Sequence, residues 1–289
     1  MSSNMMGALF MMASMAAFTI NDAFIKLTDG AMPLWQLLFL RGVLTTALIV
    51  CLGLWLRSLH FRIARPDWVF ILMRSVAEIG AAFCFLTALL RLPLANVSAI
   101  LQMLPLTVSL CAALFLGEAL GWKRMAAILI GFLGMLLIVR PGAEGFNATS
   151  IYAIFAVGFV TIRDLATRKL SAEVPSMTVT LAASVIVTVF AGFASISQGW
   201  VEITPRLGWL IGCAAFTVIG GYFFSVQTMR QGEISFIAPF RYTSLIWALV
   251  LGWFVFGDWP DGLTMVGAGI IVATGLFTLW REGKLAKAG

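Results

Sequence analysis

Charge is scarce in this 289-residue chain. Asp, Glu, Lys and Arg make up 11% of it, against roughly a quarter in soluble domains. Hydrophobic residues make up 61% and the mean hydropathy is +1.00, which excludes a soluble globular domain and places the chain in lipid. Histidine is nearly absent. The single one, His60, lies in a basic stretch, and without HExxH, GxSxG or a Cys–His pair an intramembrane hydrolase or transferase lacks its nucleophile and base. The four cysteines, Cys51, Cys84, Cys111 and Cys213, sit in apolar runs without CxxC spacing, which speaks against zinc, redox and disulfide roles. No GxxxxGK[ST] occurs, which speaks against a self-contained ATP-driven pump. No filter-like segment repeats as a channel would need. No cofactor or metal is expected, and no linker or low-complexity segment divides the chain.

Long apolar runs are abundant. They fall at residues 5–27, 34–56, 68–90, 94–116, 122–139, 149–169, 175–197, 206–229, 234–256 and 262–280, separated by short segments with Pro, Gly or charge. Each has roughly the 20 residues that a membrane-crossing helix needs. The first run lacks the basic n-region of a signal peptide and continues smoothly to Leu27, so it is expected to be span one. The fold class expected is all-α integral membrane, with ten transmembrane helices. Of the 19 Lys and Arg, eleven fall in segments on the side of the N-terminus and four on the other, the rest lying within spans. The positive-inside rule then puts both termini in the cytoplasm. The formal charge of +6 is accounted for by this topology, and a nucleic-acid partner is not expected.

The chain repeats itself. Residues 19–27 read TINDAFIKL and residues 161–170 read TIRDLATRKL, so Asn21-Asp22 and Lys26 recur as Arg163-Asp164 and Arg168 at an offset of 142. Pro33 matches Pro175 at the same offset; Gly80, Phe83 and Gly117-Glu118 match Gly220, Phe223 and Gly257-Asp258 at 140. Two five-span halves, residues 1–141 and 142–289, follow. Because five is odd, the second enters from the opposite side, as an inverted repeat about an axis in the membrane plane.

Residues 95–142, ANVSAILQMLPLTVSLCAALFLGEALGWKRMAAILIGFLGMLLIVRPG, resemble the end of the EamA domain of the drug/metabolite transporter superfamily, and residues 33–42, PLWQLLFLRG, resemble its second helix. The resemblance covers two EamA-like units. It implies a ten-span transporter of the bacterial inner membrane whose central cavity is lined mainly by helices one, three, four, six, eight and nine. The second unit departs from the pattern, with Ala183 in the place of Arg41 and Leu245 in that of Pro105. FLRG, AEIGAAF, RDLATRKL and PFRYTSLIWALVLGW further resemble carriers of vitamin- or nucleoside-like metabolites, which implies uptake of riboflavin or S-adenosylmethionine. An amino-acid or drug exporter of the same fold is the alternative.

Asp22, Arg41, Arg74, Glu78, Arg163, Asp164 and Arg241 lie at or near membrane depth, where an isolated charge costs about 2.5–3.5 kcal/mol on an insertion scale. They therefore need partners or a wet cavity. Asp22 and Arg41 are placed to meet across a hairpin in an outer cluster, and Arg74, Arg163, Asp164 and Arg241 in an inner one. Two roles stay open for these pairs: structural ion pairs, or gates that break during alternating access. Glu78 stands one turn from Arg74, which predicts a pair on one helix face; facing a cavity alone, it would carry a proton. Candidate substrate contacts are Arg241 and Tyr242 beside Pro239, Ser98 and Gln102 near Pro105, and the aromatic residues Phe83, Tyr222 and Trp247. An arginine suits carboxylate or phosphate. Gly117 and Gly121 form a GxxxG, and Gly131, Gly134, Gly267 and Gly269 suit close helix packing. A monomer or weak homodimer in the lipid bilayer, driven by protons or substrate counter-flow, is expected.

Overall fold

The computed structural model describes residues 3–59, 63–117, 121–140, 148–171, 173–229 and 237–286. His60 and Glu118 therefore lie outside the described residues. The helices are α1 (Ser3–Lys26), α2 (Leu34–Trp55), α3 (Arg65–Arg91), α4 (Leu94–Leu101), α5 (Leu104–Leu116), α6 (Trp122–Val139), α7 (Ser150–Arg168), α8 (Ser176–Ile196), α9 (Pro205–Met229), α10 (Thr243–Leu251) and α11 (Gly262–Ala286). A 3-10 turn, Ala238–Tyr242, leads into α10, and a π turn, Gly252–Phe256, leaves it. Among the described residues no strand occurs. Helices satisfy every internal N–H and C=O without water, which lipid demands. Among the described residues, nine stretches are long and apolar enough to cross a membrane, counting α4–α5 and the 3-10–α10–π run as one each. The apolar stretch Met125–Val139 of α6 is the shorter tenth.

The sequence repeat reappears as spatial symmetry. α1 packs along α9 and α3 along α7, α2 packs on α8, and α6 on α11. Exchanging the halves turns each of these pairings into another of the set or into itself, as a two-fold axis between the halves requires. Side chains follow. Phe10 stacks on Phe224 at 6.2 Å between ring centroids, and Tyr152 meets Phe83 at 6.2 Å. A Cβ on Gly80 would fall 2.7 Å from the Phe159 ring, and one on Gly221 2.6 Å from the Phe18 ring. The packing thus makes Gly221, not Gly220, the counterpart of Gly80. Pro33 and Pro175 stand at the N-caps of α2 and α8, where the missing N–H costs nothing.

Spans four and nine are both broken. Pro105 has no N–H and its ring collides with the carbonyl four residues back, so α4 stops at Leu101 and α5 begins at Leu104. In span nine, Leu245 stands at the Pro105 position, but Pro239 starts a 3-10 turn and the regular helix begins only at Thr243. The two breaks touch: Gln102 Nε2 donates to Ser244 Oγ at 2.6 Å. Gly117 and Gly257 end α5 and the π turn with φ of 71° and 69°. Nothing lies within 4 Å of a Cβ added to either, so the left-handed backbone and not crowding requires glycine there.

Gly134 and Gly267 bring α6 and α11 into backbone contact, a Cβ on either falling within 2.9 Å of the other's carbonyl oxygen. Gly131 also lies in this contact; Gly269 has open space beside it. The Gly117/Gly121 GxxxG is not a packing motif in this fold. Gly121 is the N-cap of α6, and like Gly117 it has no atom within 4 Å of an added Cβ.

Packing is uneven along the helices. Among the described residues the two main apolar clusters, around Ile100, Met103 and Ile138 and around Leu37, Leu89 and Ile211, draw on the middles of the helices and on their ends away from the chain termini. The same end is tied by polar contacts. Lys26 Nζ donates to the carbonyls of Leu89 and Leu92, at 3.2 and 2.7 Å, and Gln36 exchanges two hydrogen bonds with the Val201 backbone.

Candidate functional site

A polar cavity of about 100 Å³ lies between α2, α3, α8 and α9. α2 contributes Arg41, Gly42 and Thr45, α3 Arg74 and Glu78, α8 Thr180, Ala183, Ser184 and Thr188, and α9 Tyr222. These are spans two, three, seven and eight. The expected lining of helices one, three, four, six, eight and nine is therefore only partly matched, because α2 and α8 pack on each other across the centre. Gly42 permits this approach, since a Cβ there would fall 2.3 Å from Thr188 Oγ1. Thr46 bonds to Ser184 at 2.7 Å and lies 3.4 Å from Thr188, its own counterpart at an offset of 142.

Glu78 does not pair with Arg74. Its Oε1 lies 3.4 Å from Arg163 Nη1, while Arg163 holds Asp164 at 2.8 Å through Nη2 and at 2.9 Å through Nε. Arg74 instead donates from Nε to Thr167 Oγ1 at 3.0 Å. The i,i+4 spacing put both groups on one face, but α7 packs against that face and supplies its own partners. Asp22 accepts from Asn21 Nδ2 at 2.8 Å. It lies within electrostatic reach of Arg41 without closing to an ion pair. Arg41 has no hydrogen bond or salt bridge among the described residues, and Arg74 Nη1 and Thr45 Oγ1 are buried without one.

A second polar hollow, of about 320 Å³, lies nearer the termini and gathers Pro105 and Ser109 of α5, Asp164 and Arg168 of α7, Arg241 of the 3-10 turn and Leu279 of α11. Arg241 is exposed there. The other candidates are dispersed. The Tyr242 hydroxyl occupies the hollow left by Gly275, Gln102 is committed to Ser244, and Trp247 is 38% exposed. Phe83 is stacked on Trp35 at 5.3 Å. Ser98 lines neither hollow and is one turn from Gln102, whose N–H its carbonyl accepts. Of the seven candidate substrate contacts, Tyr222 alone reaches the central cavity, with Arg41, Arg74 and Glu78 of the charged set.

Sequence reasoning missed Thr45, Thr180, Ser184 and Thr188. Hydroxyls in apolar helices usually bond back to their own helix, as Thr19, Ser75 and Thr161 do here. Spacing alone carries no mark of the ones that face a cavity. The offset of 142 between Thr46 and Thr188 was the available signal.

The profile of the EamA-like transporter family matches residues 5–140 and 148–280. The chain belongs to that family. It is a multi-pass membrane transporter built as two repeats. An S-adenosylmethionine uptake transporter of Rickettsia conorii is 25% identical over 96% of this chain and 94% of its own length. The pseudopaline exporter CntI of Pseudomonas aeruginosa is 26% identical over 96% and 97%, and a riboflavin transporter of Vibrio cholerae 27% over 96% and 94%. A solved crystal structure shares the fold with a TM-score of 0.65 and 20% identity, covering 96% of this chain and 98% of that one.

Proposed function

We propose that the chain is a secondary active transporter moving a small polar, vitamin- or nucleoside-like metabolite across the bacterial inner membrane by alternating access. S-adenosylmethionine and riboflavin are the first substrates to try, after the Rickettsia and Vibrio relatives. The observation that carries this reading is the polar cavity at the meeting of two symmetry-related halves, in a bundle packed at one end. With both termini cytoplasmic, as the basic residues suggest, the packed end is the outer gate and the cavity belongs to an inward-facing state. Exchange of the two halves' conformations would then open the other side.

In this scheme residues 1–141 and 142–289 are the two moving units. Tyr222 contacts substrate, and Arg241 with Asp164 lines the cytoplasmic approach. The Glu78–Arg163–Asp164 network is the coupling element that a proton or exchanged substrate would disturb, and the protein works as a monomer or weak homodimer without chemical conversion of its cargo. Purified protein in liposomes tests this directly. Saturable uptake of labelled S-adenosylmethionine or riboflavin, recovered unchanged, is expected, and Arg241→Ala should slow it. Conversion of the label, or flux that never saturates, would refute carriage.

A further inference from the structure

Resting on that reading of the cavity as the substrate site, we infer that the transported molecule carries a carboxylate, which docks on Arg41 and Arg74. Among the described residues, three donors at the wall of this cavity have no acceptor: the Arg41 guanidinium, and the buried Arg74 Nη1 and Thr45 Oγ1. The acid that would otherwise serve them is taken, because Glu78 turns to Arg163 on α7. Asp22 keeps Asn21 as its hydrogen-bond partner and does not close on Arg41. Positive charge at membrane depth whose acidic neighbours, Asp22 and Glu78, do not close to an ion pair with it is costly, and a ligand oxyanion supplies the missing contact partner through charge-assisted, bidentate hydrogen bonds.

The site is single. Symmetry would place a second arginine at residue 183, and Ala183 stands there, lining the same cavity. One guanidinium with one flanking arginine suits one compact oxyanion at one end of the substrate. The hydroxyls of Thr180, Ser184 and Thr188 and the Tyr222 ring line the rest of the cavity for the neutral remainder. Among the relatives' substrates this chemistry fits an amino-acid end, which S-adenosylmethionine has and riboflavin lacks.

Two matched pairs of labelled probes test the inference by binding to purified protein and uptake into liposomes. The pairs are S-adenosylmethionine with its decarboxylated analogue, and riboflavin with its 5′-phosphate. Loss of the carboxylate should weaken binding about tenfold to a hundredfold, the range for a charge-assisted hydrogen bond left unmade. Arg41→Gln should bring the S-adenosylmethionine affinity down to that of the analogue. Should that variant not fold, the ratio within the pair on the unaltered protein decides. Equal affinity within both pairs, with saturable uptake retained, overturns the carboxylate site and leaves the transporter reading standing. Preference for the 5′-phosphate over riboflavin, without a preference for the carboxylate, overturns it in favour of phosphate. Binding and uptake of none of the four refutes the metabolite reading itself, and the carboxylate site with it.

Discussion

In the first half of the bundle α2 carries Arg41 into the central cavity; in the second, the matching position on α8 is Ala183. Asn21 precedes Asp22 on α1, whereas Arg163 precedes Asp164 on α7, and Pro105 breaks span four where Leu245 stands in span nine. Other features are kept: the prolines opening α2 and α8, the left-handed glycines at 117 and 257, and the aromatic pairs Phe10–Phe224 and Tyr152–Phe83. The kept residues govern backbone path and close approach. Those are the properties two halves must share if each is to adopt the other's arrangement at similar free energy. The altered residues include those facing the cavity, where a small substrate has no two-fold symmetry to match.

The largest effect is expected where the halves meet through backbone. Gly134→Leu would drive a side chain into the Gly267 carbonyl oxygen, 2.9 Å from the Cβ position. Backbone cannot give way as a flexible side chain does, so this overpacking is expected to exceed the usual cost of about 1–3 kcal/mol. Little monodisperse protein should be recovered in size-exclusion chromatography. Gly269→Leu, on α11 with open space beside it, should be recovered normally. Equal recovery of the two variants would show that the halves do not depend on this contact.

Next comes the charge network that only the second half completes. Arg163→Asn makes α7 resemble α1, with its Asn21-Asp22, and leaves Glu78 and Asp164 without their cation. Removing one partner of a partly buried pair costs up to about 3–5 kcal/mol when burial is full. Side chains about a quarter exposed, 25% for Arg163 and 26% for Glu78, put the effect below that. Uptake should fall on the order of tenfold, a loss of about 1.4 kcal/mol, and Glu78→Gln in the same chain should restore part of it, because the orphaned charge is then gone. If the double variant is no better than Arg163→Asn alone, the network does not act as a pair.

Much of this architecture was legible in the sequence. Hydropathy placed the ten spans, and the 142-residue echo placed the axis, because lipid leaves little choice for a run of twenty apolar residues. Partners were less legible. The spacing of Arg74 and Glu78 obeys a rule for isolated helices, and it fails because α7, distant in sequence, offers Glu78 a guanidinium and Arg74 a hydroxyl. Arg41 was visible as a buried charge, but its lack of an ion pair depends on distances across a helix hairpin that no spacing encodes. Tyr242 and Gln102 were reasonable contacts by depth. Tertiary packing committed the first to the Gly275 hollow and the second to Ser244.

A smaller effect is expected at that Gln102–Ser244 bond, which joins the two broken spans. A neutral hydrogen bond contributes about 1 kcal/mol net. Gln102→Ala and Ser244→Ala should each lower thermal stability by a similar few degrees, and the double variant by little more than either single change, since both remove one interaction. Strictly additive losses would separate the halves at this point.

The smallest effect tests a connection where the second half is better capped than the first. α6 begins at Gly121 without a side-chain cap. At the matching place before α11, Asp261 Oδ1 accepts the Thr264 N–H at 2.8 Å and takes Arg140 of the first half as an ion pair. The Thr264 backbone N–H above all holds the Asp261 carboxyl below its ordinary 3.8; desolvation, the next influence, opposes it, and the side chains of Thr264 and Arg140 add smaller lowering contributions. A depressed folded-state value means that the contribution is fully present above about pH 4 and is lost as pH falls through the lowered value. The Asp261 side chain is 57% exposed, so solvent screens the pair and the cap supplies most of the effect. Asp261→Ala should lower the melting temperature at pH 7 by about 1–3 °C, a typical N-cap loss spread over a chain of this size. The gap between variant and parent should close as pH drops below the usual carboxylate range. High salt should narrow it only slightly, because the cap is a local hydrogen bond. A gap that instead vanished in salt at pH 7 would assign the effect to Arg140, and with it the tie between the halves.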